Sequence, residues 1–398
     1  MTPIPRRTRR LPGPALVGLL ALALAGCTAG DPILANAPAQ QPVVVQPRES
    51  PVPVVDPLPV ELPRDDAPHD RLTEWWYYTG HLRDESGGRY GFEFVIFRAE
   101  RGDFPVSWAS HLALTDETGE RFFAAQRTEI GPQVDAGGPD LAGFDLAISG
   151  FDPSRPETVG GSPWTMSGND GTDRLQAAAA GELPGSTGGF ALDLLLRSTK
   201  PPALHDRDGW IDFGPAGGSY YYSRTAMTAT GSLELDGRRL SVEGTAWFDH
   251  QWGDFIAVGG GGWDWFAVNL EDGTDLTFSL VRDADGSYPL IYGTLVEADG
   301  TVRHLDRDAF SIDVTDRWRS PATGAHYPAG WRIEIPGDDL TIELEPTVAA
   351  QELDTRATTG VIYWEGSQVV RATRDGTPLG GEGYVELTGY AGTAAESP

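Results

Sequence analysis

The stretch GTAWFDHQWG, Gly244–Gly253, changes character residue by residue rather than turn by turn. As a single strand it puts Phe248, His250 and Trp252 on one face and Trp247, Asp249 and Gln251 on the other. Aromatic groups on both faces need apolar surroundings on both sides, a need met by a packed core or by the wall of a barrel that binds a flat apolar ligand. Asp249 and His250 cannot then point into the same cavity.

The same period recurs outward along the chain. Phe92, Phe94 and Ile96 share a strand face, as do Phe190, Leu192, Leu194 and Leu196. Between such runs stand Asp236-Gly237, Asp272-Gly273, Asp285-Gly286, Asp299-Gly300 and Asp375-Gly376, a dipeptide suited to the positive φ angles of tight hairpins. The alanine-rich stretch from Asp173 to Leu183 is broken by Gly181 and closed by Pro184, and it lacks an amphipathic stripe, so it reads as strand or loop. With 50 Gly, 31 Pro and 12 Trp in 398 residues, the pattern predicts an all-β body of two domains.

The N-terminus reads differently. Arg6, Arg7, Arg9 and Arg10 precede an apolar run from Leu11 to Ala25, too short to cross a bilayer core of about 30 Å. The run ends at Leu24-Ala25-Gly26-Cys27, which resembles a bacterial lipobox, and Cys27 is the only cysteine. The expectation is an exported lipoprotein, anchored in a membrane through lipid on Cys27 at the periplasmic face or the outer membrane. Residues 1–27 are its signal peptide, and 28–68, with 10 Pro, are an extended Pro-rich tether. Removing residues 1–68 should leave a folded body. The remaining barrels are expected at 69–250 and 251–398. A formal charge of -28 repels nucleic acid, which is excluded as a partner.

Candidate chemistry lies in the aromatic clusters. Glu74 shares a row with Trp76 and Tyr78, and Tyr222 closes a run of three tyrosines. Trp263 and Trp265 project together with Asp264 opposite, and a carboxyl buried among such rings needs partners or keeps its proton. Trp364 and Glu365 form a further pair. The seven histidines show no HxH or HExxH spacing, so no metal site is expected, and no nucleophile elbow anchors a Ser-His-Asp triad.

Several runs resemble those of the family that contains AttH-like proteins and hydroxyneurosporene synthase, a carotenoid 1,2-hydratase: Thr73–Leu82, His111–Asp116, Lys200–His205, Tyr221–Thr225, Gly244–Gly253, Tyr363–Gly366 and Gly381–Tyr390. The resemblance implies two lipocalin-like antiparallel barrels packed together. His250 and Trp252 match the family's Asp-His-x-Trp motif, with Asp249 and Asp264 as candidate catalytic carboxylates. Where a further aspartate is expected, Thr277-Phe278-Ser279 stands instead. Glu74, Trp76, Tyr78, Tyr222, Trp263, Trp265, Trp364 and Glu365 are candidate ligand-binding residues. The expected function is a cell-envelope lipoprotein that binds a hydrophobic small molecule, lipid or isoprenoid-like, as accessory to an ABC-type transporter permease. The alternative is hydration of a terminal isoprenoid double bond without any cofactor.

Overall fold

The computed structural model describes residues 56–138, 142–150, 162–179, 188–255 and 261–391. Cys27, the expected signal peptide and the tether up to residue 55 lie outside the described residues. Among the described residues no helix is long and apolar enough to cross a membrane.

The strands form two antiparallel sheets. The first holds β1 (Thr73–Asp84), β2 (Arg89–Ala99), β3 (Ser107–Asp116), β4 (Arg121–Ile130), β5 (Phe144–Ile148), β6 (Trp164–Asn169), β7 (Thr172–Ala179), β8 (Phe190–Ser198), β9 (Ala203–Leu204), β10 (Trp210–Asp212), β11 (Gly218–Leu235) and β12 (Arg238–Gly253). Its order is β4-β3-β2-β1-β12-β11-β8-β7-β6-β5, with β9 and β10 paired to β11, and it curls into a nearly closed barrel. The second holds β13 (Gly262–Leu270), β14 (Asp275–Arg282), β15 (Leu290–Val296), β16 (Val302–Asp306), β17 (Ser311–Arg319), β18 (His326–Ile335), β19 (Leu340–Pro346), β20 (Glu352–Asp354), β21 (Ile362–Arg374) and β22 (Thr377–Thr388). Its order is β16-β15-β14-β13-β22-β21-β19-β18-β17, with β20 on β21, and it forms half a barrel.

The expected barrel boundary after residue 250 falls inside β12, which runs on to Gly253. The alanine-rich stretch is β7 as far as Ala179, and its burial alternates strictly, as a strand with one solvent face requires. Asp236-Gly237 and Asp375-Gly376 carry positive φ at both residues, the geometry of a two-residue hairpin turn. In Asp272-Gly273, Asp285-Gly286 and Asp299-Gly300 only the glycine does.

The three largest clusters of buried apolar residues hold the body. One fills the first barrel around Trp76, Phe94, Trp164 and Phe248, and a second fills the half-barrel around Phe266, Trp331 and Trp364. The third lies between the sheets, where Tyr77, Val95 and Trp247 of the first meet Trp265, Ala267 and Tyr384 of the second. This third core explains the aromatic groups on both faces of β1 and β12: one face looks into a barrel and the other is covered by the neighbouring sheet.

The Pro-rich tether was expected to reach Pro68, yet from Asp56 onward the chain is fastened to the first barrel. Arg71 donates to both Asp56 oxygens at 2.8 Å and to Asp254 at 2.7 Å. Tyr220 donates to Asp56 at 2.6 Å and accepts from the Leu58 amide at 2.8 Å. Asp66, 1% exposed, receives Arg224 on both oxygens at 3.0 Å and the Tyr222 hydroxyl. A body cut at residue 68 keeps Arg71–Asp254 but loses Asp56, Leu58 and Asp66, which tells against the expectation that it stands alone.

Candidate functional site

A cavity opens between the two sheets, beside the third core. The centre of a water molecule can sweep about 120 Å³ of it. Its wall is mainly aromatic and aliphatic: Trp75 and Tyr77 of β1, Phe97 of β2, Tyr221 of β11, Trp263 and Trp265 of β13, Val281 of β14, Tyr292 of β15 and Tyr363 of β21. Into this apolar wall are set three carboxyls, Glu93, Asp249 and Glu386. Glu365 sits beside them, accepting from Tyr77 at 2.8 Å and standing opposite Glu386 in the β21–β22 ladder.

The carboxyls differ in surroundings. Burial pushes Glu93 up to about 8. Burial also raises Glu365 well above the usual carboxylate range, reinforced by the charges of Glu93 and Glu386. Glu386, half-buried and held by Trp263 Nε1 at 3.1 Å, is pushed up by burial to about 7. Burial raises Asp249 too, but only to about 6, because donors surround it. Trp247 Nε1 donates to Oδ1 at 2.7 Å, Tyr221 to Oδ2 at 2.5 Å, and Ser223 also donates to Oδ1. Trp265 Nε1 donates to the Tyr221 oxygen at 3.0 Å, so the Tyr221 proton is free to face Asp249. Three donors aimed at one carboxyl favour its ionised form.

The sequence-predicted residues fall in separate places. Asp249, Trp263 and Trp265 line the cavity, and Glu365 adjoins it. His250 and Trp252 do not line it, although the resemblance marked them as catalytic, because alternate residues of β12 point to opposite faces and theirs is the barrel interior. Glu74, Trp76, Tyr78 and Tyr222 lie there with them. Tyr78 donates to Asp173 at 2.8 Å. Asp264 faces away from Trp263 and Trp265, bound by Arg282 at 2.8 Å and Tyr390 at 2.9 Å. Trp364 belongs to the half-barrel core, its Nε1 donating to the Ala349 carbonyl at 2.9 Å. Sequence reasoning missed Glu93, Glu386, Tyr77, Tyr221 and Tyr363. The available signal for Glu93 was its row, since Val95 and Phe97 alternate with it and mark that face as covered too.

Within the first barrel His69, Glu74 and His250 bring ligand-type atoms within 4.8 Å of one another, the one such group among the described residues. Glu74 Oε1 meets His69 Nδ1 at 2.7 Å and His250 Nε2 at 2.9 Å, while Oε2 accepts the His69 amide at 2.9 Å. Burial alone would raise Glu74, but the His69 charge and these hydrogen bonds hold it down at about 2. These bonds fasten the segment before β1 to β12 and leave His250 Nδ1 buried without a hydrogen-bond partner.

The AttH-like family model matches residues 53–390. The crystal structure of a protein described as AttH from Nitrosomonas europaea is 32% identical, with 86% of this chain and 100% of that one covered at a TM-score of 0.69. Kievitone hydratase from Nectria haematococca shares the fold at 16% identity and a TM-score of 0.62, covering 83% of this chain and 93% of its own. Among curated proteins no match is found. A family match over most of the chain, and a relative of this identity aligned along its whole length, place the protein in the AttH-like family.

Proposed function

We propose that the protein hydrates an isoprenoid-like carbon–carbon double bond of an apolar molecule held in the cavity between the sheets, without a cofactor. The observation that carries this reading is the pairing, in one aromatic cavity, of a carboxyl that keeps its proton with a carboxyl that does not. Glu93 gives its proton to one alkene carbon as the π pair forms the new C–H bond. The faces of Trp265 and the cavity tyrosines shield the resulting tertiary cation. Water attacks it, the C–O bond forms, and the proton lost from that water passes to Asp249. Solvent exchange returns Asp249 and Glu93 to their starting states, so the net change is alkene plus water to alcohol. Kievitone hydratase has this fold, which suits the reading.

The pH profile tests the assignment. Activity falls below about pH 6 as Asp249 gains a proton, and above about pH 8 as Glu93 loses one. A rate that climbs steadily through pH 8 and beyond removes Glu93 from the role of acid.

Three sequence expectations join the proposal: lipid attachment at Cys27, residence at the cell envelope, and service to an ABC-type permease. Cys27→Ala should release the protein from the membrane fraction and block signal processing. An unchanged membrane fraction and mature mass would defeat the lipobox. The apolar cavity also fits simple carriage of a hydrophobic ligand. In that case ligands quench cavity tryptophans and come off unchanged.

A further inference from the structure

The direction of each hydrogen bond can be fixed along a polar chain that enters the cavity from β4. Gln126 Nε2 donates to the Asp354 carbonyl at 3.0 Å, which turns Oε1 toward Thr358. Oε1 can only accept, so the single Thr358 hydroxyl proton goes to it at 2.8 Å, with the Thr355 carbonyl farther off at 3.2 Å. Thr358 then offers lone pairs to His111 Nε2, 3.0 Å away, and that nitrogen must carry the hydrogen. His111 is fully buried and burial pushes it down to about 3, so the ring is neutral and Nδ1 is bare. The Tyr363 hydroxyl, 2.8 Å from Nδ1, donates its one proton there. The same Tyr363 oxygen lies 2.9 Å from Glu93 Oε1. With its proton directed at His111, Tyr363 can only accept from Glu93, and the contact is a hydrogen bond only when Glu93 carries a proton.

We propose that His111 is a positioning residue that keeps Glu93 in its acid form: by taking the Tyr363 proton on Nδ1, it leaves Glu93 without a donor on that oxygen. The proposal rests on the cavity as an acid–base site, and it explains how two carboxyls there are assigned opposite roles. Around Asp249 the polarity is reversed, because Trp265 occupies the Tyr221 oxygen and sends the tyrosine proton to the carboxylate. His205 Nε2, 2.6 Å from Ser223, likewise leaves the Ser223 proton for Asp249. The other titratable groups acting around Glu93 are acids, namely Glu365 on β21, Glu386 and Tyr384 on β22, and Tyr77 on β1. Charge on those carboxyls opposes charge on Glu93.

The test is infrared spectroscopy of the full chain without substrate, following the carbonyl stretch of protonated carboxyl groups against pH. The Glu93 component is identified by its loss in Glu93→Gln. In the native protein it persists through neutral pH. In His111→Phe, Tyr363 turns to Glu93, and the component titrates away lower by about one pH unit or more. In Thr358→Val, His111 is free to move its hydrogen to Nδ1, and the same downward shift follows. His111→Asn, whose side-chain oxygen can take the Tyr363 proton, restores the native titration. If His111→Phe fails to fold, Thr358→Val carries the test alone. A native protein without the Glu93 band at neutral pH overturns the proposal, as does identical titration in native and both variants. The readout needs no turnover, so a native protein that shows the band and its shifts yet hydrates no alkene contradicts the hydratase reading and leaves this one standing.

Discussion

Glu93→Gln and Asp249→Asn should each lower the hydration rate by about a hundredfold or more, with the fold unchanged. Glu93→Gln keeps the size of the side chain but removes the proton that the alkene needs. The amide nitrogen can still meet Tyr363, so packing survives while chemistry does not. Asp249→Asn replaces an acceptor of three hydrogen bonds by a group with one acceptor oxygen and an NH₂ that faces a donor. It removes the base and also disturbs Tyr221, so a larger loss is expected at Asp249 than at Glu93. Rates within a few-fold of native for both variants, on a substrate the native protein turns over, would dismiss the pair. His250→Gln, deep in the first barrel, should instead act mainly on stability.

The second large effect concerns the segment before β1. A chain beginning at Asp56 should fold as the native protein does, whereas one beginning at residue 69 should be strongly destabilised, and Asp66→Ala should reproduce much of the loss. Arg224 is buried, and Asp66 binds it through both carboxylate oxygens. Removing one partner of a buried pair leaves an uncompensated charge and costs about 3–5 kcal/mol. Asp173 lies near enough for its charge to act on Arg224, yet it takes its hydrogen bond from Tyr78, so it replaces Asp66 poorly. Thermal or denaturant unfolding of the two truncations and of Asp66→Ala measures this directly. Equal stability of all three with the native chain would mean that the segment rests on the barrel without supporting it.

Much of the fold was legible because strands announce themselves by a period of two. The separation of Phe248, His250 and Trp252 from Trp247, Asp249 and Gln251 follows from alternation alone. Alternation does not say what covers each face. The face that carries Asp249 is closed by Trp265, Tyr363 and Glu386, the last two more than a hundred residues downstream, and that meeting depends on how two sheets pack. Val95 and Phe97, in the same row as Glu93, mark that face as covered, but only the packing of the second sheet shows by what. The docking of Asp56–Pro68 was hidden for a related reason. Proline density describes an extended backbone and names no partner for it, and the Arg224 that holds Asp66 lies 158 residues away.

The central claim is that the cavity between the sheets adds water to an apolar alkene. Its most direct test is incubation of the native protein with lycopene- or neurosporene-like polyenes in water enriched in heavy oxygen and deuterium, followed by mass spectrometry of the products. The account predicts an alcohol carrying one heavy oxygen and one new carbon-bound deuterium, formed by the native protein and lost in Glu93→Gln. Polyenes that bind, quench the cavity tryptophans and return without either label would contradict it and leave the protein a carrier.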